Sequence, residues 1–269
     1  MAEENILIDE PVKGVRRLTL NRPDARNAFT NAMYLEFADI LNDIRFDPDV
    51  RVVILTGNGK GFCTGHDLRD KEAPEWIKEG VGKAYYTKYA MQVISSLPVM
   101  LRNLPQPVIC GINGTVAGMG YALPLAADIS IAARSAKFVN AIHNAATGAE
   151  LGMSYMLPRA VGTQKAAEIL YTARAVMADE AEQIGLVLKT VPDEELQQAC
   201  IDLAKNIVVN VPMGIWVTKQ ALWHNMNAGS LEQAMEFETR GVFMAQSTAD
   251  AKEKRAAFME KRDPDFTSE

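Results

Sequence analysis

The chain is short of cysteine and histidine, with three of each: Cys63, Cys110, Cys200, His66, His143 and His224. None is spaced as CxxC or HExxH. A metal centre and a disulfide framework are therefore not expected, and the thiols fit a reduced, cytoplasmic setting. No run reaches the roughly 18 apolar residues of a membrane span. The opening "MAEENILIDE" is acidic and lacks the basic start and apolar core of a signal peptide. With a net charge of −6 and a pI near 5.3, and no basic stripe interleaved with aromatics, nucleic-acid binding is not expected. The glycine-rich stretches lack the GxxxxGK[ST] spacing, so no phosphate cradle is indicated. No internal repeat and no low-complexity linker is visible.

What remains is an ordinary globular composition, 48% hydrophobic and 23% charged over 269 residues, enough for one large domain or a domain plus an appendage. "VRRLTLN" (15–21) alternates as a strand does, and "RPDARNAF" reads as a turn. Met33, Phe37, Ile40, Leu41 and Ile44 then recur at helical spacing. "VRVVILTG" (50–57), "QPVICGING" (106–114) and "ISIAAR" read as buried strands. The segment 69–90 is charged and aromatic without a clear period, and reads as a loop or a lid-like helix. A helix is expected over 90–104 and another from the glycine-rich turn of "AGMGYALPLAADI". Strands and helices alternate to about residue 195, and helices alone follow. That pattern predicts an α/β core over 1–195 and a helical region over 196–269. The helical region carries Ile215, Trp216, Leu222, Trp223, Met235 and Phe243, which must bury on the core or on another subunit.

Two stretches share one design. "GFCTGHDL" (61–68) and "GTVAGMGYAL" (114–123) each follow a strand and place glycines where backbone can approach a ligand. The second also opens a helix, whose first amides have no partners within it. Two such turns facing each other would hold a developing oxyanion; taken alone, they are also ordinary tight turns. A third stretch, "HNAATGAELG" (143–152), is poor in charge and leaves one imidazole and one carboxylate among small residues. A desolvated Glu150 would have a raised pKa suited to taking and returning a proton. The bland alternative is a glutamate in the first turn of a helix.

"LNRPDARNAF", "GFCTGHDL", "GINGTVAGMGYALPLAADISIA" and "LPRAVGTQKAAEILYTARAVMADEAEQIGLV" together resemble the enoyl-CoA hydratase/isomerase superfamily, the crotonases, from about residue 5 to 266. The resemblance implies an α/β fold: a crotonase-like spiral of ββα units with a C-terminal all-helical trimerisation region. It implies an acyl-CoA thioester as substrate, with coenzyme A arriving as part of it and no separate cofactor. It also implies a homotrimer or hexamer. The thioester enolate would be held by the backbone N–H groups of His66 and Met119. Arg26, Ala28, Asp67 and Leu68 match positions near coenzyme A, and Phe258 and Lys261 match a family end that reaches a neighbouring subunit's coenzyme A. A solvated charged helix is the competing reading of that end.

The departures from the family pattern matter more. By ungapped match, the two acids of the hydratases fall on Ala122 and Ile142, neither of which can move a proton. Isomerase branches carry a single acid eight residues later, and Glu150 occupies that position. The resemblance therefore makes Glu150 the acid/base and favours double-bond isomerisation. Hydration or C–C bond hydrolysis through Glu150 and a water is the alternative, and a non-catalytic acyl-CoA binding protein is the reading of another class. His143, beside the second lost acid, either contacts substrate or is held by packing. The His66 ring either touches substrate or points to solvent. Tyr85, Tyr86 and Tyr89 line an acyl pocket or pack a helix.

Overall fold

The computed structural model describes residues 4–71, 74–140 and 147–268. The chain opens with an antiparallel pair, β1 (Ile6–Val12) and β2 (Val15–Leu20), followed by helix α1 (Asn31–Phe46). Thr30 caps α1 by accepting a hydrogen bond from the Met33 amide, and Met33, Tyr34, Phe37, Leu41 and Ile44 form its buried face.

The ββα repeat that the resemblance implies, and that no self-similarity in the sequence announces, then appears. β3 (Val52–Gly57), β4 (Gly61–Cys63) and α2 (Lys83–Arg102) form one ββα unit. β5 (Val108–Ile112), β6 (Thr115–Ala117) and α3 (Met119–Ala126) form the next. β7 (Ile129–Ala133), β8 (Lys137–Val139) and α4 (Met153–Val161) form the third. The first strand of each unit enters a six-stranded sheet ordered β1-β2-β3-β5-β7-β10, and the second enters a four-stranded sheet ordered β4-β6-β8-β9. Consecutive units pair in parallel, as Leu55 opposite Cys110 in one sheet and Cys63 opposite Val116 in the other. Helix α5 (Thr163–Thr172), β9 (Ala175–Met177), α6 (Ala178–Gln183) and β10 (Lys189–Val191) close the two sheets.

The continuous apolar runs are explained by burial on both faces. In β3, Val53 and Leu55 face the interior between the sheets, while Val52 and Ile54 face the other way, against α7 (Leu196–Val208). Leu196, Cys200 and Ala204 supply the α7 side of that second core. Helices α8 (Pro212–Asn225), α9 (Leu231–Gln246) and α10 (Ala249–Glu260) complete the expected helical region. α8 is fastened to the core by a buried ion pair, Lys219 to Asp128 at 2.8 Å, with Trp223 donating to the same carboxylate. Leu222, Met235 and Phe243 nevertheless stay exposed on a single chain, Phe243 at 70%.

One open alternative is resolved, and one strand had no sequence signal. The segment 69–90 is not wholly loop: from Lys83 it is the start of α2, continuous with the helix expected at 90–104. Its first turns are exposed and so carry no apolar stripe to read. β1 was not anticipated either; as an edge strand it buries only Ile6 fully, and its pattern is too weak to stand out. Among the described residues, no single helix is long and apolar enough to cross a membrane.

Candidate active site

The site follows from the parallel pairing of β4 with β6. Neighbouring parallel strands end on the same edge, so the chain leaving Cys63 and the chain leaving Ala117 emerge side by side. Gly65 has φ +94 and Gly118 has φ +52, values that side chains rarely adopt. The two turns press together. A Cβ on Gly65 would lie 3.3 Å from the Ala117 carbonyl oxygen and the Gly118 Cα, and 3.4 Å from the Met119 amide nitrogen. Gly120 is tighter still, since a Cβ there would sit 2.0 Å from the Cys63 carbonyl oxygen.

The amides leaving these turns are spare. His66 forms a parallel bridge with Phe29 in which Phe29 donates to the Gly65 carbonyl at 2.8 Å and the Asp67 amide donates to Phe29 at 2.9 Å. The bridge leaves the His66 N–H turned to the opposite side. Met119 is the first residue of α3, where an amide has no acceptor within the helix. Among the described residues neither amide has an acceptor. Both side chains are secondary to that arrangement: the His66 ring is exposed and stacks on Tyr34 at 5.9 Å, and Met119 is buried.

Glu150 does not begin a helix. α4 starts at Met153, after Gly152 as cap, so the first-turn reading of this glutamate is set aside. It stands in a turn where Leu151, a non-glycine residue, holds φ +54 and Gly152 holds φ +80. Burial pushes its carboxyl pKa above the ordinary value. A cavity of about 280 Å³ adjoins the turn at Leu151 and Gly152; it is walled by α2 and α4 and shares no residue with the glycine turns. Ala122 is fully buried in α3, with no acid in its place. His143 and Ile142 lie outside the described residues.

The other positions divide. Arg26 (φ +48) is exposed, directly against Gly61. Ala28 is buried, and its carbonyl accepts from the Arg22 guanidinium. Asp67 is buried and its carboxylate is taken up by Arg22 at 3.0 Å and Arg69 at 3.0 Å, contacts that hold it well below the usual carboxylate range. Leu68 beside it is 89% exposed. Phe258 and Lys261 sit at the end of α10, Phe258 exposed and Lys261 in a left-handed cap. Tyr85, Tyr86 and Tyr89 project from the start of α2, with Tyr85 and Tyr89 tilted 6.2 Å apart. Three residues escaped the sequence reading. Arg22 pins Asp67, and Asn27 (φ +57, fully buried) bonds the Gly61 carbonyl at 2.7 Å beneath the first turn. The third is Tyr34, whose signal was a phenol among the apolar residues of α1.

A family model described as enoyl-CoA hydratase/isomerase matches residues 10–269. A probable enoyl-CoA hydratase of Mycobacterium bovis is 40% identical over 266 residues, covering 98% of this chain and 93% of its own. The crystal structure of a probable enoyl-CoA hydratase/isomerase from Mycobacterium abscessus superposes with a TM-score of 0.90 at 38% identity, covering 99% of this chain and all of that one. That of a monofunctional enoyl CoA isomerase from Mycobacterium smegmatis matches with a TM-score of 0.73 at 40% identity, covering 86% of this chain and 98% of its own.

Proposed function

Because the chain belongs to the enoyl-CoA hydratase/isomerase family and is an enzyme of it, we propose that it moves a double bond along an acyl-CoA thioester, with Glu150 as its single acid/base. The observation that carries this reading is a desolvated carboxylate, Glu150, in a chain that also presents two spare amides on facing turns, while the buried Ala122 supplies no second acid. Glu150 removes a proton from the α-carbon of a 3-enoyl thioester. The electron pair spreads onto the thioester oxygen, where the His66 and Met119 amides stabilise the charge. The protonated Glu150 then delivers the same proton to the γ-carbon, and the conjugated 2-enoyl thioester leaves. Nothing is consumed, and coenzyme A enters and leaves with the acyl group.

In this reading Arg26 faces the coenzyme A phosphates, as a guanidinium suits them. Ala28, Asp67 and Leu68 contribute through backbone, because the Asp67 carboxylate is already engaged. Phe258 and Lys261 reach a neighbouring subunit's coenzyme A. The exposed Leu222, Met235 and Phe243 support assembly into a trimer or a dimer of trimers. Light scattering that finds a stable monomer at micromolar concentration would remove this assembly.

The test of the chemistry is Glu150→Gln, which keeps shape and removes the base. Conversion of trans-3-hexenoyl-CoA should fall by roughly a hundred- to ten-thousandfold, and deuterium exchange at the α-carbon of hexanoyl-CoA should fall with it. Wild-type protein that binds both compounds and turns over neither favours the non-catalytic reading. Normal turnover in Glu150→Gln ends the catalytic claim.

A further inference from the structure

A charge cluster away from the candidate active site gathers where α2 ends. Its one acid is Asp128. Lys219, buried on α8, pairs with that carboxylate at 2.8 Å, the Trp223 indole donates to it at 3.0 Å and the Val108 amide at 2.8 Å. Arg102, the half-buried last residue of α2, is left over. Its guanidinium lies over the Trp223 ring at 3.5 Å, and its Nη2 donates to the Leu125 carbonyl at 2.8 Å. Among the described residues its Nε and Nη1 donate to nothing, and no carboxylate pairs with it. Two cations thus stand against one anion. Burial lowers the Arg102 pKa, the direction expected of a guanidinium that has lost water and is short of counter-charge.

Arg102 lines a cavity of about 460 Å³ between α2, α4, α8 and the α6–β10 connection. A second guanidinium, Arg159 of α4, lines the same cavity. It stacks on Tyr155 at 3.6 Å, and its Nη2 donates to Asn227 at 3.3 Å. Asn227 donates in turn to the Tyr155 hydroxyl at 2.9 Å, and lies four residues beyond Trp223 in the turn that ends α8. The end of α8 therefore braces both guanidinia, one through Trp223 and one through Asn227. Neither has an acid partner among the described residues. Glu182, also on the cavity, accepts from the Thr190 amide at 2.7 Å and from the Thr190 hydroxyl. Leu125, Met156 and Val187 supply buried apolar wall. Neither Glu150 nor any residue of the glycine turns lines it.

Braced guanidinia suit an oxyanion, since little side-chain freedom is lost on closing around it. The apolar wall favours an oxyanion that carries an apolar body over a bare inorganic one. We propose that this cavity is a second ligand site, separate from the thioester site, which takes a carboxylate with an apolar tail. Arg102 and Arg159 hold the carboxylate, and the tail lies against Leu125, Met156 and Val187. The inference does not depend on the role of Glu150.

The test is calorimetric titration of the full chain with octanoate, alone and with saturating hexanoyl-CoA, and with octan-1-ol as the neutral counterpart. Octanoate should bind with a Kd of about 0.1–1 mM, unchanged within about twofold by hexanoyl-CoA, and octan-1-ol at least about tenfold more weakly. Arg159→Ala, at an exposed position, should weaken octanoate about tenfold without moving the melting temperature by more than about 2 °C. Arg102→Met, which keeps an unbranched stem against Trp223, should weaken it at least as much; if that variant does not fold, Arg159→Ala decides. Octanoate that is displaced by hexanoyl-CoA, that binds no tighter than octan-1-ol or that keeps its affinity in Arg159→Ala overturns the proposal. So does the absence of octanoate binding up to about 10 mM.

Discussion

The facing glycine turns and the Glu150 turn are built from opposite materials. The first pair is scaffold. Two parallel strands deliver it, their backbones approach within a Cβ radius, and the chemistry proposed for it is done by amides. Any residue but proline supplies an amide, which is why an exposed histidine and a buried methionine can both stand at these positions. The second is a side chain on a turn outside both sheets, held by a non-glycine residue in the left-handed region. There the proposed function lies in one carboxylate, and only its identity and surroundings supply it. On the proposed reading, an oxyanion site fixed by topology is tolerant of sequence, whereas an acid/base is not.

Mutations can break this contrast. The largest effect is expected on the side-chain half, the hundred- to ten-thousandfold loss in Glu150→Gln. The same variant carries a stability signature. The folded-state pKa of Glu150 is raised, so its contribution to stability is present below the unfolded carboxyl pKa and lost as pH rises through the folded value. Glu150→Gln should thus melt slightly above wild type at pH 7, by about 1–2 °C given solvent screening at a partly exposed group. The gap should close as pH falls toward about 4. Differential scanning calorimetry across that range checks it, and a gap that widens in acid contradicts the desolvated carboxylate.

On the scaffold half, a methyl group placed between the turns should matter more than removing either side chain. Gly65→Ala puts a Cβ 3.3–3.4 Å from the Gly118 turn at φ +94. Turnover should fall about a hundredfold, as for the loss of one oxyanion donor, with about 1–3 kcal/mol of strain in urea unfolding. His66→Ala and Met119→Ala should each keep turnover within about threefold, because both amides remain. A large loss in His66→Ala at unchanged stability would show that its ring, and not only its N–H, is used. This sharpens the comparison, since the His66 ring also stacks on Tyr34.

Much of this was legible in the linear sequence, for a physical reason that differs by element. Long periodic segments announced themselves. Met33, Phe37 and Leu41 on α1 and the two-sided apolar runs of β3, β5 and β7 are patterns imposed by burial, which is written into residue type. Glycines at the two strand ends and one acid in a small-residue stretch were likewise visible, because backbone conformation and charge are local properties. The tertiary structure alone decided the rest. Three-residue strands such as β4, β6 and β8 are too short to carry a period and exist only through their pairing, so the ββα repeat was legible only through the family resemblance and its strand bounds only in the sheets. The same pairing brings Gly65 against Met119, more than fifty positions away in sequence. Tyr34 looked like one more core residue of α1. Only the folded chain shows that its hydroxyl has no partner among the described residues, because a hydrogen bond left unmade is a property of three-dimensional surroundings and of no residue by itself.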